Sequence, residues 1–264
     1  MKITTCVAVG MLFGLVPASA DTGFLDRSVN IGAMKYRYQV YVPAEHFLGK
    51  EWPVVIDLHG NGSQGPDGLL PTAQGLAQLI RLNRSRFPAV VVFPQAEAGK
   101  RWLNADMEAL VMAELDRTMT EFRGDPSRVY LAGFSMGATG AYRIAYHWPN
   151  RFAPIVAIAG RVDSDVKSYS DGEKQADRKA NPFVSAADPF AALAEKIKHV
   201  PIRVFHGDAD ETVPVEQSQR LVTALKAAQA DVRYQEYAGA THVGAAQKAL
   251  AEQDLITWMF AQHR

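Results

Sequence analysis

The sequence is nearly devoid of cysteine: one, Cys6, in 264 residues. Cys6 opens an apolar stretch, Cys6 to Val16, behind the positive Lys2. Ala18-Ser19-Ala20 then fits the small-residue cleavage rule. Residues 1–20 therefore read as a signal peptide, with the mature chain beginning at Asp21. The apolar run is shorter than the ~20 residues a membrane span needs, so an anchor is not expected and the protein is expected to be secreted or periplasmic. Loss of Cys6 with the signal would remove disulfides, a cysteine nucleophile and cysteine-ligated metal from consideration.

Net charge is also missing, with 28 basic and 28 acidic side chains. A nucleic-acid binder usually carries a basic excess, so no nucleic-acid partner is expected. No stable membrane insertion is expected after signal cleavage. No run of like charge, internal repeat or low-complexity segment stands out.

What is present is an ordinary globular composition, 48% hydrophobic and 21% charged. The length suits one large domain better than two small ones. Tyr36 to Val42 alternates like a strand and ends at Pro43. Short apolar runs follow at Val54–Leu58, Ala89–Phe93, Val129–Ala132, Ile155–Ala159 and Ile202–Phe205. They read as buried parallel strands, and Val232–Tyr237 as one more. Helical patterns lie between them, at Ala73–Leu82, Met107–Phe122, Met136–His147, Glu216–Ala228 and Gly244–Phe260. Strands alternating with helices predict an α/β fold with a mostly parallel sheet covered on both faces. Arg161 to Ala187 breaks the rhythm and reads as a lid-like or loop insertion.

The strongest motif is Gly133-Phe134-Ser135-Met136-Gly137. It follows a buried strand and opens a helix, the context that gives G-x-S-x-G its meaning. The chain must reverse sharply there, and side chains at Gly133 or Gly137 would collide with the turn or the neighbouring strand. The Ser135 hydroxyl would then stand at the C-terminal edge of the sheet. A serine needs a base to take its proton and a carboxylate to orient that base. The order Ser, acid, His is available. Ile202 to Phe205 runs into His206-Gly207-Asp208-Ala209-Asp210, and Val232–Tyr237 runs on to Thr241-His242. Asp210 is preferred as the acid. Asp208 reads as a turn residue bonding backbone amides, and Glu211 is a remote third option. His206 reads as a structural core residue. His46, His199 and His263 read as surface, and His147 as a helix end.

The oxyanion of an acyl-transfer intermediate needs backbone donors. Met136 should supply one amide. The other should come from Leu58-His59-Gly60-Asn61-Gly62, with Asn61 favoured and Gly60 its nearest rival. Trp102 could line a substrate pocket or pack beneath a loop, and Tyr169, Phe183 and Phe190 are further lid candidates.

These motifs resemble the α/β-hydrolase superfamily over nearly the whole mature chain. Asp125-Pro126-Ser127-Arg128-Val129-Tyr130 and Pro149-Asn150-Arg151-Phe152-Ala153 are most similar to secreted feruloyl esterase and polyhydroxybutyrate depolymerase-like enzymes and to the phospholipase/carboxylesterase group. The resemblance implies a Ser135–Asp210–His242 triad, a carboxylic ester as small-molecule or polymer-attached substrate, and no cofactor or metal. Members of the depolymerase-like group often carry cysteines near the site, unlike this mature chain. A serine peptidase of the same fold would usually carry a propeller or long cap, for which about 244 residues leave little room. A non-catalytic binding protein on this fold would usually lack a triad member, and none is missing.

Overall fold

The β-branched runs form one eight-stranded sheet. The structure, a computed structural model, describes residues 21–46, 49–164 and 169–264; the expected signal peptide lies outside them. The strands are β1 (Gly23–Ile31), β2 (Met34–Val42), β3 (Trp52–Leu58), β4 (Val90–Phe93), β5 (Gly124–Phe134), β6 (Ile155–Ile158), β7 (Ile202–Gly207) and β8 (Val232–Tyr237). Their spatial order is β1-β2-β4-β3-β5-β6-β7-β8. From β4 to β8 every pairing is parallel; β1 and β2 pair antiparallel with each other, and β2 antiparallel with β4. β1 was not expected from the sequence.

Alternation along the central strands splits the core into two. Val54, Ile56 and Leu58 of β3, with Val129 and Leu131 of β5, face one cluster. That cluster is closed by α2 (Ala105–Glu121), α3 (Met136–His147), α5 (Pro189–Ile197) and α6 (Glu216–Ala227). Val55, Tyr130 and Ala132 face the other, under α1 (Leu76–Leu82), α7 (His242–Ala251) and α8 (Gln253–Phe260). Both faces of the parallel sheet are thus covered, which is why its strands read as unbroken apolar runs. No helix among the described residues is long and apolar enough to cross a membrane.

Four expectations need correction. The helix expected from Ala73 starts only at Leu76, because Gly75 holds φ 66°, ψ −140°. The helix expected over Gly244–Phe260 starts at His242 and breaks at Glu252, whose ψ of 121° leaves the helical region. The segment 161–187 is not a structureless insertion. It carries α4 (Asp171–Ala180), started by a Ser170/Glu173 capping box, and a short 3-10 turn at Pro182–Ser185. Asp177 of α4 meets Arg143 of α3 in a two-pronged ion pair, 2.9 and 2.6 Å, with side chains 0% and 1% exposed. Asn181 Nδ2 adds a bond to Asp177 at 2.8 Å. Phe183 and Phe190, read as lid candidates, are core residues.

Candidate active site

Ser135 sits between the end of β5 and the first residue of α3, with φ 57° and ψ −116°. A non-glycine residue adopts such angles only when its surroundings impose them. Here the amide of Ser135 donates to Ile158 O at 2.8 Å, holding the turn against β6. The flanking glycines are required for room. A Cβ on Gly133 would overlap the Gly137 carbonyl, and one on Gly137 would overlap Leu58 O of β3.

His242 is the first residue of α7, whose N-cap Thr241 accepts the Gly244 amide. Its Nε2 lies 2.7 Å from Ser135 Oγ and its Nδ1 lies 2.6 Å from Asp210 Oδ2. Its ring lies against Phe134, centroids 4.8 Å apart. Asp210 follows β7 and has no exposed side-chain area. Burial works against its charge, but bonds from His206, His242 and the amides of Val213 and Thr212 outweigh it. They hold the carboxyl well below the ordinary carboxylate range. Asp208, its rival, accepts the Gly239 amide at 2.6 Å, while His242 Nδ1 meets Asp210.

The loop after β3 is fixed from below. His59 Nε2 accepts the Ala96 amide at 3.1 Å, so the ring proton is on Nδ1, which donates to Gly60 O at 2.7 Å. Burial lowers the His59 pKa to about 4, keeping the ring neutral. A trans peptide points its C=O and N–H in opposite directions. Drawing Gly60 O down to His59 therefore turns the Asn61 N–H the other way. Gln64 ties this loop to the elbow, its Nε2 lying 2.8 Å from Asn61 Oδ1 and 3.7 Å from Met136 Sδ.

Trp102 does not line the site. It is 1% exposed, packs under Gly140 of α3 and donates from Nε1 to His59 O at 3.0 Å. It supports the loop from beneath. Its neighbour Arg101 stacks over Tyr169 at 4.3 Å and pairs with Glu173. His46, read as surface, is buried, with Nε2 3.0 Å from Phe122 O.

The serine elbow and the Ser–Asp–His order belong to one stretch of chain, and residues 99–263 match the model of the prolyl oligopeptidase family. The chain belongs to the prolyl oligopeptidase family. It has the α/β-hydrolase fold. Among curated proteins, this family member is 27% identical to the isoprenylcysteine alpha-carbonyl methylesterase of Arabidopsis thaliana over 160 residues, 47% of the chain and 35% of that protein. It is 24% identical to acetylxylan esterase A of Emericella nidulans over 217 residues, 74% of the chain and 66% of that protein. The matches thus span one third to two thirds of these relatives' lengths. The solved structure of a thermostable esterase superposes with TM-score 0.70 at 25% identity, covering 91% of this chain and 63% of that one.

Proposed function

We propose that this member of the prolyl oligopeptidase family is a carboxylic ester hydrolase with Ser135 as nucleophile, His242 as base and Asp210 as the group that orients the base. The observation that carries the reading is the unbroken relay from Ser135 Oγ through His242 to the buried Asp210 carboxylate, with contacts of 2.7 and 2.6 Å. His242 takes the serine proton as Oγ attacks the ester carbonyl. The amides of Met136 and Asn61 receive the oxyanion. His242 then protonates the leaving alcohol, giving an acyl-enzyme that water hydrolyses by the same steps. The names of both curated relatives, a methylesterase and an acetylxylan esterase, support an ester substrate. An acetylated or feruloylated polysaccharide or a polyester is within the same chemistry. The sequence pattern at residues 1–20 supports export to the periplasm or the exterior.

A second reading, a peptidase, rests on the family match itself. One experiment tests both. The wild type should hydrolyse p-nitrophenyl acetate and take a fluorophosphonate probe on Ser135, and Ser135→Ala should do neither, since loss of the nucleophile costs several orders of magnitude. Cleavage of aminoacyl p-nitroanilides with only background ester turnover would replace the esterase reading by the peptidase one. Undiminished hydrolysis by Ser135→Ala would reject the nucleophile.

A further inference from the structure

Behind Phe134 and Val243 a cavity of about 480 Å³ opens between α1 and the α7–α8 pair. Leu79, Val156, Leu250 and Ile256 make its walls, and Asp57, near the end of β3, lies on its floor. Its size falls within the usual range for small-molecule pockets. Leu82 and Val243, 78% and 58% exposed, stand at its edge, so the entrance is apolar as well.

Asp57 has one evident structural task. Gly75 precedes α1 without a side chain to cap it, and the Asp57 carboxylate accepts the Leu76 amide in its place. Asp57 as a residue keeps partial accessibility although its carboxyl is desolvated. The residue is part of the cavity lining. Burial pushes its pKa to about 7. The groups facing it are few. His59 is the other titratable side chain on the described walls, and its ring is neutral. Gln74, Gln78 of α1 and Gln247 of α7 are uncharged, and α8 contributes only apolar side chains. Among the described residues no lysine or arginine lines the cavity.

We propose that this cavity is a binding site for a protonated aliphatic amine, with the chain against Leu79, Val156 and Ile256 and the ammonium on Asp57. Charge complementarity selects this occupant. An aliphatic carboxylate would find no cation and would face Asp57. An alcohol of equal length would gain only the burial of its chain. An ammonium beside Asp57 favours the ionised carboxyl and relieves the desolvation that opposes it. The site requires no chemistry at Ser135, so it stands or falls separately from the esterase reading.

The test is calorimetric titration of the full chain with hexylamine, hexanol and hexanoate at pH 6 and pH 8, at fixed salt. Hexylamine should bind most tightly. Its dissociation constant should be roughly tenfold lower at pH 8, because the ionised fraction of a group with pKa about 7 rises from roughly one tenth to nine tenths. The amine itself stays protonated across that range. Asp57→Asn keeps an acceptor for Leu76 and should abolish both the preference for amine over alcohol and the pH dependence. Ala246→Leu places three more carbon atoms on the cavity wall and should weaken hexylamine by crowding its chain. Equal affinity for hexylamine and hexanol, an amine preference that survives in Asp57→Asn, an undiminished affinity in Ala246→Leu, or no binding of hexylamine would each overturn the proposal and leave Asp57 as a cap for α1 alone.

Discussion

His206 Nε2 lies 3.2 Å from Asp210 Oδ2, the same oxygen that meets His242 Nδ1. His206 is fully buried at the end of β7, with Nδ1 2.7 Å from Ser218 Oγ and Nε2 also 3.0 Å from Val213 O. Nε2 faces two acceptors, so it carries the proton, and Nδ1 accepts from the Ser218 hydroxyl. The second histidine therefore aims Asp210 at the first and acts as a positioning residue. A hydrogen bond to a charged group contributes about 1.5–3 kcal/mol. His206→Phe should lower kcat on p-nitrophenyl acetate roughly 10- to 100-fold while KM changes little. Unchanged kcat in a folded His206→Phe protein would show that Asp210 needs no such support.

The two aspartates of the same turn should separate cleanly. Asp210→Asn would present an amide to His242 and favour the wrong tautomer, a change that costs about 10⁴ in kcat in a serine protease triad. A loss of that order is expected here. Asp208→Asn leaves an oxygen for the Gly239 amide and should keep kcat near wild type. Steady-state kinetics on both variants decides the assignment, and equal losses would contradict it.

The fold and the relay were legible for a physical reason. Buried parallel strands must be apolar on both faces, so β3 to β7 appear as short hydrophobic runs, and the elbow glycines are forced by contacts with β3 and α3. β1 was hidden because Asp26, Arg27, Ser28 and Asn30 interrupt its apolar residues, and only pairing with β2 reveals it as a strand. α4 was hidden because Asp171–Ala180 has almost no apolar face. Its attachment rests on polar pairs distant in sequence, Arg143–Asp177 and Arg101–Glu173, which no local pattern encodes; the Ser170/Glu173 cap was its one visible sign. Trp102 was ambiguous because sequence places a residue on a loop without saying which side of the loop it faces.

The loop bearing Asn61 should depend on His59. His59→Ala removes the donor to Gly60 O and the acceptor for the Ala96 amide, freeing the 60–61 peptide to rotate. Loss of one oxyanion donor costs about 10²–10³ in kcat. That loss, with a similar fall in the rate of fluorophosphonate labelling, is expected. Trp102→Phe keeps the ring but loses the bond to His59 O, and should show a smaller fall in both rates. Wild-type rates in His59→Ala would mean that the loop holds its shape without the imidazole.

The ion pair under α4 predicts an asymmetric response. Removing one partner of a buried pair strands the other charge and costs about 3–5 kcal/mol. Asp177→Ala should therefore lose stability of that size by chemical denaturation and become sensitive to proteolysis within 161–187. Replacing both, Arg143→Met with Asp177→Leu, should recover much of the loss, because neither charge is then left unpaired. A double variant no better than Asp177→Ala would point to the further Arg143 bonds, to the Thr139 and Val162 carbonyls, as the dominant contribution.

Two buried carboxyls oppose stability as pH rises. Glu114 of α2 is fully buried with neither oxygen partnered among the described residues, and burial holds its pKa well above the ordinary value. Asp57 is pushed up to about 7. In the unfolded chain both release their protons near pH 4. Between about pH 4 and 7 these two carboxyls therefore bind more protons folded than unfolded and lower stability as pH rises, whereas His59, held neutral down to about pH 4, binds fewer below its ordinary pKa and works against them. Asp210 acts in the opposite sense, but its contribution is lost only as pH falls below the ordinary carboxylate range. Asp57→Asn should leave stability nearly unchanged at pH 4.5 and raise it at pH 7.5. The ceiling on that gain is about 4 kcal/mol for a carboxyl moved from 3.8 to about 7, reduced by the partial access of water to the cavity. Denaturant midpoints for the wild type, Asp57→Asn and Glu114→Gln at the two pH values measure the slope. An Asp57→Asn midpoint that differs from wild type by the same amount at both pH values would show that Asp57 ionises freely in the folded protein.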